Sequence, residues 1–390
     1  MKLLHTSDWH VGKTIRGHSR ADEHRAVLSE IVGIAADNDV DLIIVAGDLF
    51  ETAAPTAEAE KIVYKALLEL SRTGATLAVI SGNHDNARRL EAVAPVLEAT
   101  GDVHVLTQAK RPDDGGVRRF TARSGEDVVL AMLPFVSKRG IVRAADLWDN
   151  QAFQSSQLYT ERVTQMLSLL SDEFETNAVN LLTAHTFVHG GKMGGGERQA
   201  HFIEDYTISA PSLPITANYI ALGHVHRPQK ISAGSPTHYC GSPLQMDFGE
   251  QDQQKQVNLV DLKPGAPGSV TPIKLSSGWP LRTLTGTFDE LESTAKDLPD
   301  EVWVRVKVNE PRQAAIGDRV RDIVGTQVVD VQVIGSNVVR PKRSAASGRI
   351  GKAPTELFAE YMAEQGVEDA RVGKAFEALL DAEHDEMAGR

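Results

Sequence analysis

Asp8-Trp9-His10, Gly47-Asp48, Gly82-Asn83-His84-Asp85, Ala184-His185-Thr186 and Gly223-His224-Val225-His226 are the segments of this chain whose residue types can do chemistry. Together they offer carboxylates, an amide oxygen and imidazoles, with no thiolate, which is a donor set for divalent cations such as Mn²⁺. Each follows an apolar, β-branched run: Lys2 to His5, Leu42 to Val45, Thr76 to Ile80, Val179 to Leu182, and Tyr219 to Leu222. Such runs read as buried strands. Ligands of open α/β sheets gather at the carboxyl ends of the strands, so the spacing predicts one pocket that receives all of these segments.

A carboxylate between two cations can bridge them, and Asp48, on a tight turn after a buried strand, is expected in that role. Asp8 and His10, and likewise His224 and His226, are expected to alternate along extended segments, with Trp9 and Val225 pointing the other way to pack. One cation would take Asp8, His10, Asp48 and His226; the other would take Asp48, Asn83, His185 and His224. Oxygen-rich coordination with open positions suits Mn²⁺ best, with Mg²⁺ or Fe²⁺ as alternatives, whereas structural Zn²⁺ prefers closed sites rich in thiolate and imidazole. Two such ions about 3.5–4 Å apart generate a hydroxide and clamp a phosphate, so the implied reaction is phosphoester hydrolysis. His84, next to Asn83 but facing the other way, is expected to contact the phosphate or protonate the leaving oxygen, with Asp85 orienting its ring. His5, His18, His24, His104, His189, His201, His238 and His384 lack comparable settings and read as structural.

The elements that must position these residues are legible in the periodicity. From Met1 to about Leu275, strands alternate with amphipathic stretches at Ala21 to Ala36, Ala57 to Ser71, Ala87 to Ala99 and Tyr159 to Leu170. Further strands are expected at Val128 to Phe135, Lys230 to Ser232, Val257 to Leu262 and Val270 to Leu275, the last two joined by a Pro/Gly turn. An α/β fold with a two-sheet β-sandwich flanked by helices accommodates both halves. Arg139 to Gln157 and the glycine-rich Gly190 to Arg198 read as loops. Past Ser277 the pattern resets to a βαβαβ unit: Leu281 to Thr285, Phe288 to Lys296, Val302 to Val308, Ile316 to Val324 and Val328 to Ile334. The division this suggests is a catalytic domain over 1–276, a small α+β capping domain over 278–335, a basic flexible linker over 336–352 and a helical tail over 353–390. In the tail, Leu357, Phe358 and Tyr361 mark one apolar face, and Phe376 and Leu380 another. Such short helices rarely persist alone in water. They either pack on their own domain or, as favoured here because the linker gives them reach, dock on a partner.

Composition sets limits. A chain of 390 residues is too long for one ordinary core. The first residues run straight into a strand without the charged leader and apolar core of a secretory signal, and the lone Cys240 fits a reducing compartment, so a cytoplasmic protein is expected. The net charge of −12 argues against indiscriminate binding to nucleic acid, although two bound cations would reverse the local field at the pocket. Lys13, Arg16, Arg20 and Arg227 lie near the motifs and read either as phosphate contacts or as solvated surface charges.

The ordered set Asp-x-His, Gly-Asp, Gly-Asn-His-Asp, His and Gly-His-x-His resembles the calcineurin-like metallophosphoesterase superfamily over roughly the first 275 residues. Within it, Leu4-His5-Thr6-Ser7-Asp8-Trp9-His10-Val11-Gly12, Gly223-His224-Val225-His226-Arg227-Pro228 and Gly241-Ser242-Pro243-Leu244-Gln245 are similar to the SbcD-type nuclease subunits. The resemblance implies Mn²⁺-dependent cleavage of DNA, exonucleolytic on duplex ends and endonucleolytic on single strands or hairpins. It also implies an SbcC-type coiled-coil ATPase as partner, gripped by the terminal helices, and two copies of each subunit in a heterotetramer acting in repair and recombination. The family's ligands map to Asp8, His10, Asp48, Asn83, His185, His224 and His226, and its phosphate-contacting histidine to His84. Where the family often has Asp, this chain has Glu51, outside the coordinating set. Nucleotidases and other phosphodiesterases with the same pocket, or a scaffold without activity, are the alternatives.

Overall fold

The computed structural model describes residues 1–137, 157–195, 207–311, 315–334, 358–359, 361–363 and 372–376. Residues 1–334 form one compact unit and 335–390 a second. In the first, two six-stranded sheets lie face to face. One runs Ser269–Lys274, Gln256–Asp261, Lys2–Thr6, Leu42–Ala46, Thr76–Ile80, Val103–Leu106; the other runs Gln229–Ile231, Thr237–Tyr239, Tyr219–Gly223, Val179–His185, Asp127–Leu133, Val117–Thr121.

Alternation along the strands builds the layers, because successive side chains face opposite sides of a sheet. In Leu42–Ala46, Leu42, Ile44 and Ala46 face the second sheet, where they meet Leu130, Met132, Leu181 and Ala221. Ile43 and Val45 face outward onto Val27, Ile31, Val63 and Leu67 of the helices Ala21–Asp37 and Ala57–Ser71. The outer face of the second sheet is covered by Val163, Met166, Leu167 and Leu170 of the helix Gln157–Ser171. The result is a helix–sheet–sheet–helix sandwich, as the sequence predicts. The central strands of each sheet are parallel. Lys2–Thr6, Leu42–Ala46 and Thr76–Ile80 run together, and so do Val179–His185 and Tyr219–Gly223, so their carboxyl ends open at one edge.

Strands at Val103–Leu106, Val117–Thr121 and Thr237–Tyr239 are additional to those expected. Each is short or on a sheet flank, where polar residues interrupt the apolar run. The small parallel sheet Leu281–Gly286, Trp303–Val308, Val328–Val333 carries the helices Phe288–Ala295 and Ile316–Val324 on its own core of Leu284, Phe288, Leu291, Val304, Val306 and Val320. It belongs to the same compact unit as the sandwich. A second cluster, Ile15, Phe248, Leu281 and Trp303 with Trp279 and Val329, joins it to the two-sheet body.

Arg139 to Ser156 of the expected loop, residues 196–198 of the glycine-rich loop, the linker and the docking candidates Leu357 and Leu380 lie outside the described residues. In the second unit, the rings of Phe358 and Phe376 stack on one another at 3.9 Å, and Tyr361 is exposed. Two of the aromatics expected on separate faces therefore face each other. Among the described residues, no helix is long and apolar enough to cross a membrane.

Candidate metal centre

The strand Lys2–Thr6 ends one residue before Ser7, and the chain then leans on the neighbouring loop. Asp8 N donates to Gly47 O at 2.9 Å, His10 N to Asp48 O at 3.0 Å and Val11 N to Leu49 O at 3.0 Å. This segment is not extended. Asp8 and His10 adopt left-handed backbone with φ of 53° and 48°, because pairing with the Gly47–Leu49 loop replaces the sheet ladder there. His224 also has positive φ, 104°, so the second expected alternation is bent too. The packing consequence nevertheless holds. Trp9 and Val225 are fully buried, and Trp9 Nε1 donates to Thr6 Oγ1 at 3.0 Å.

Asp48 sits in left-handed backbone (φ 53°) after Gly47 (φ 91°), and the turn leaves no room for side chains around it. A Cβ on Gly82 would lie 2.1 Å from Asp48 Oδ1, and one on Gly223 would lie 1.9 Å from Ala46 O. The two sheets therefore touch at the motif glycines, which is the physical reason for glycine at those positions.

The donors converge. Asp48 Oδ2 lies 3.6 Å from His10 Nε2 and 3.4 Å from His185 Nε2, between the two halves of the cluster. On one side, His226 Nε2 and His10 Nε2 are 3.0 Å apart. Asp8 completes that group, with ligand atoms of all three residues within 4.8 Å of one another. On the other side, Asn83 Oδ1 lies 3.0 Å from His185 Nε2 and 2.7 Å from His224 Nδ1. Asp48, His185 and His224 form a second such group, and His10, Asp48 and His84 a third. Nitrogen lone pairs and oxygens aimed at one another in a buried space repel unless a cation or proton lies between them. That property of the donor set fits a dinuclear cation centre. Cys240 does not join it: its Sγ lies 3.1 Å from Ser7 Oγ, and burial raises the thiol's pKa.

Electrostatics follow from the crowding. Burial opposes ionisation of Asp48, but the charge and hydrogen bond of His185, with His10 and His84, overcome it and hold Asp48 well below the usual carboxylate range. His185 is pushed up to about 9, since Asp48 and Asp8 outweigh its burial. Asp8 moves up, chiefly through desolvation.

Each imidazole is aimed by what its other nitrogen meets. His185 Nδ1 donates to Ala46 O at 2.8 Å, so Nε2 turns to the cluster. His84 Nδ1 donates to Glu51 O at 2.7 Å. Asp85 does not orient His84, contrary to expectation. Its carboxylate accepts from Gly82 N at 2.8 Å and Phe50 N at 3.0 Å and so ties the two motif loops together, because the turn points it back under the backbone. Desolvation and then the Asp48 charge raise it to about 6.

Three side chains at the centre escape a reading by motif. Glu51 Oε2 lies 3.0 Å from His10 Nδ1, and its other oxygen accepts from Lys13 at 2.9 Å. Glu250, fully buried, meets His226 Nδ1 at 3.2 Å and Lys255 Nζ at 2.7 Å. The only signals were the Asp-type position at Glu51 and the Phe248-Gly249-Glu250 turn that follows the Gly-Ser-Pro-Leu-Gln stretch. Of the basic candidates, Arg20 is not a phosphate contact: its side chain is 0% exposed and bound to Glu23. Lys13 pairs with Glu51, Arg16 pairs with Asp330 at 3.1 Å, and Arg227 is exposed next to His226.

A sandwich with a dinuclear donor cluster at its strand ends defines a phosphoesterase class, and residues 1–228 match the calcineurin-like phosphoesterase family. The chain is 37% identical over 322 residues to SbcD, the smaller-lettered component of the SbcCD nuclease, from Bacillus subtilis, covering 81% of each chain. It is 28% identical over 326 residues to the SbcD of Escherichia coli, covering 79% of this chain and 78% of the relative. Among solved structures, TT1561 of Thermus thermophilus overlays with a TM-score of 0.41 at 13% identity, covering 70% of this chain and 99% of that one. The chain belongs to the SbcD-type nuclease subunits of the calcineurin-like phosphoesterase family.

Proposed function

We propose that this chain is the nuclease component of a two-part DNA-processing machine, hydrolysing phosphodiesters at a centre of two divalent cations, Mn²⁺ in preference to Mg²⁺ or Fe²⁺. The observation that carries this reading is the convergence of Asp8, His10, His226, Asn83, His185 and His224 around Asp48, with His84 beside them. Asp8, His10, Asp48 and His226 would hold one cation; Asp48, Asn83, His185 and His224 the other. When bound, the cations supply the charge that activates water and offsets the phosphate.

The protein's own part is positioning and proton handling. His84, fixed through Nδ1 on Glu51 O, presents Nε2 to the phosphate and as imidazolium protonates the leaving oxygen. Asp85 and the motif glycines keep the loops in register. Exposed Arg227, with Lys13 and Arg16 at the first motif, supports contact with a nucleic-acid backbone.

The division into a catalytic domain (1–276), a cap (278–335), a basic linker (336–352) and a docking segment (353–390) belongs to the same reading. The relatives are named as components of SbcCD. By that kinship, the partner is an SbcC-type coiled-coil ATPase met by the terminal segment, with two copies of this chain in a cytoplasmic heterotetramer.

Linear duplex DNA and a small phosphodiester, each offered with Mn²⁺ and with or without the ATPase, test it. Duplex degradation stimulated by the ATPase is expected. Turnover of the small diester with no attack on DNA would favour a nucleotidase or phosphodiesterase, and two bound cations without any cleavage would favour a scaffold. Removing residues 354–390 should abolish co-purification with the ATPase and spare the small diester.

A further inference from the structure

The two halves of the donor cluster are backed differently. In the Asp8–His10–His226 half, both imidazoles meet a carboxylate at the ring nitrogen that faces away from the cluster: His10 meets Glu51 Oε2 at 3.0 Å and His226 meets Glu250 Oε1 at 3.2 Å. In the other half, Asn83 is a neutral amide and His185 is backed by the Ala46 carbonyl.

Behind His226 the support is elaborate. Glu250 and Lys255 are buried charges, and burying an ion pair costs free energy that hydrophobic side chains of similar volume would not. Lys255 Nζ reaches Glu250 Oε2 at 2.7 Å, Ser242 Oγ at 2.9 Å and the His226 carbonyl at 2.9 Å. One ammonium thus grips the backbone of His226 and the carboxylate on its ring. Glu250 Oε2 also accepts from Met246 N at 2.9 Å, so the carboxylate is anchored independently of the imidazole. A carboxylate on the outer nitrogen fixes the tautomer that presents Nε2 and raises the basicity of the ligand.

We propose that Glu250, locked by Lys255, and Glu51 are positioning residues that make the Asp8–His10–His226 position the tighter of the two cation positions, so that the ions bind in order. This rests on the dinuclear reading above.

The test is calorimetric titration of the metal-stripped full chain with Mn²⁺. Two unequal steps are expected for the wild type. Glu250→Gln should weaken the tighter step by about 10- to 100-fold and leave the weaker step in place. Glu51→Gln, nearer the surface, should do the same, and it decides the matter alone if Glu250→Gln does not fold. His224→Ala should remove the weaker step and keep the tighter one. Unchanged steps in both glutamine variants, equal weakening of both steps as a merely structural role would give, or loss of the tighter step in His224→Ala would overturn the inference. A wild-type chain that takes up no Mn²⁺ would instead sink the dinuclear reading itself.

Discussion

Glu23 joins the two-sheet body to the small three-stranded sheet, and its removal is the most quantitative perturbation the fold allows. Its Oε1 accepts from Arg20 Nε at 2.9 Å and from Trp303 Nε1 at 2.8 Å; its Oε2 accepts from Arg20 Nη2 at 2.6 Å and from Trp279 N at 3.0 Å. The Arg20 and Glu23 side chains are 0% and 5% exposed, so neither charge has water to fall back on. Glu23→Ala strands the guanidinium with the Gln245 carbonyl as its remaining partner in this network. Breaking a buried pair in this way costs about 3–5 kcal/mol, and orphaning the Trp303 indole N–H adds about 1 kcal/mol or more. A loss of about 4 kcal/mol or more is expected.

Replacing both charges, Arg20→Met with Glu23→Leu, should recover most of that loss, because the penalty comes from the uncompensated charge. Urea unfolding followed by tryptophan fluorescence measures it, since Trp279 and Trp303 stand at this junction with rings 4.9 Å apart. Proteolysis of Glu23→Ala near Ser276 to Pro280 should accelerate in parallel. A cost for Glu23→Ala below about 1 kcal/mol, the level of an exposed pair, would refute the reasoning. So would a double variant as unstable as the single one.

Three other predictions concern the centre and its supports. His84→Ala should lower turnover by about 10²–10⁴-fold with both cations retained; loss of a cation in a metal titration would make it a ligand instead. Gly82→Ala should impair uptake of both cations, because its Cβ would meet Asp48 Oδ1 at 2.1 Å and Asp48 is the shared donor; undiminished Mn²⁺ stoichiometry and affinity would refute this. Burial, with neighbouring His238 for one and Arg20 for the other, lowers His5 to about 3 and His24 to about 4, so the native state refuses protons that the unfolded chain accepts below its ordinary 6.5. Stability should therefore fall as pH drops from 6.5 towards 4, by up to about 1.4 kcal/mol per pH unit per histidine, and His24→Gln should flatten the slope of the urea midpoint against pH.

What the sequence made legible divides along physical lines. The helix Ala57–Ser71 and the strand Thr76–Ile80 end where periodicity places their ends, because a buried face imposes its repeat on every residue. The grouping of the seven donors was likewise implied by strand ends alone. The left-handed turns at Asp8 and His10 were not, since they depend on hydrogen bonds to a loop nearly forty residues away. Arg20 looked like a surface cation because its burial depends on Trp303, 280 residues from Glu23 in the chain. Glu250 and Lys255 are charges of kinds that normally stay in water, and only the assembled site gives them a reason to be inside.

Backbone strain and donor repulsion point to one design. Asp8, His10, Asp48 and His224 all have positive φ, and such residues persist only where surrounding structure over-determines them. Here the restraint is visible: amides of Asp8 and His10 bind the Gly47–Asp48 carbonyls, His224 N binds Asp8 Oδ1 at 2.9 Å, and His84 N binds Asp48 Oδ1 at 2.8 Å. The backbone of each motif is thus tied to a donor or loop of another. A ligand side chain can be exchanged with its backbone still held, whereas a change at Gly82 or Gly223 moves several donors together. The sandwich forces like groups such as His10 Nε2 and His226 Nε2 to within 3.0 Å, and a cation between them turns that repulsion into binding. Cation binding should accordingly stabilise the fold by mass action, with the gain concentrated in the motif loops rather than in the two cores that hold them.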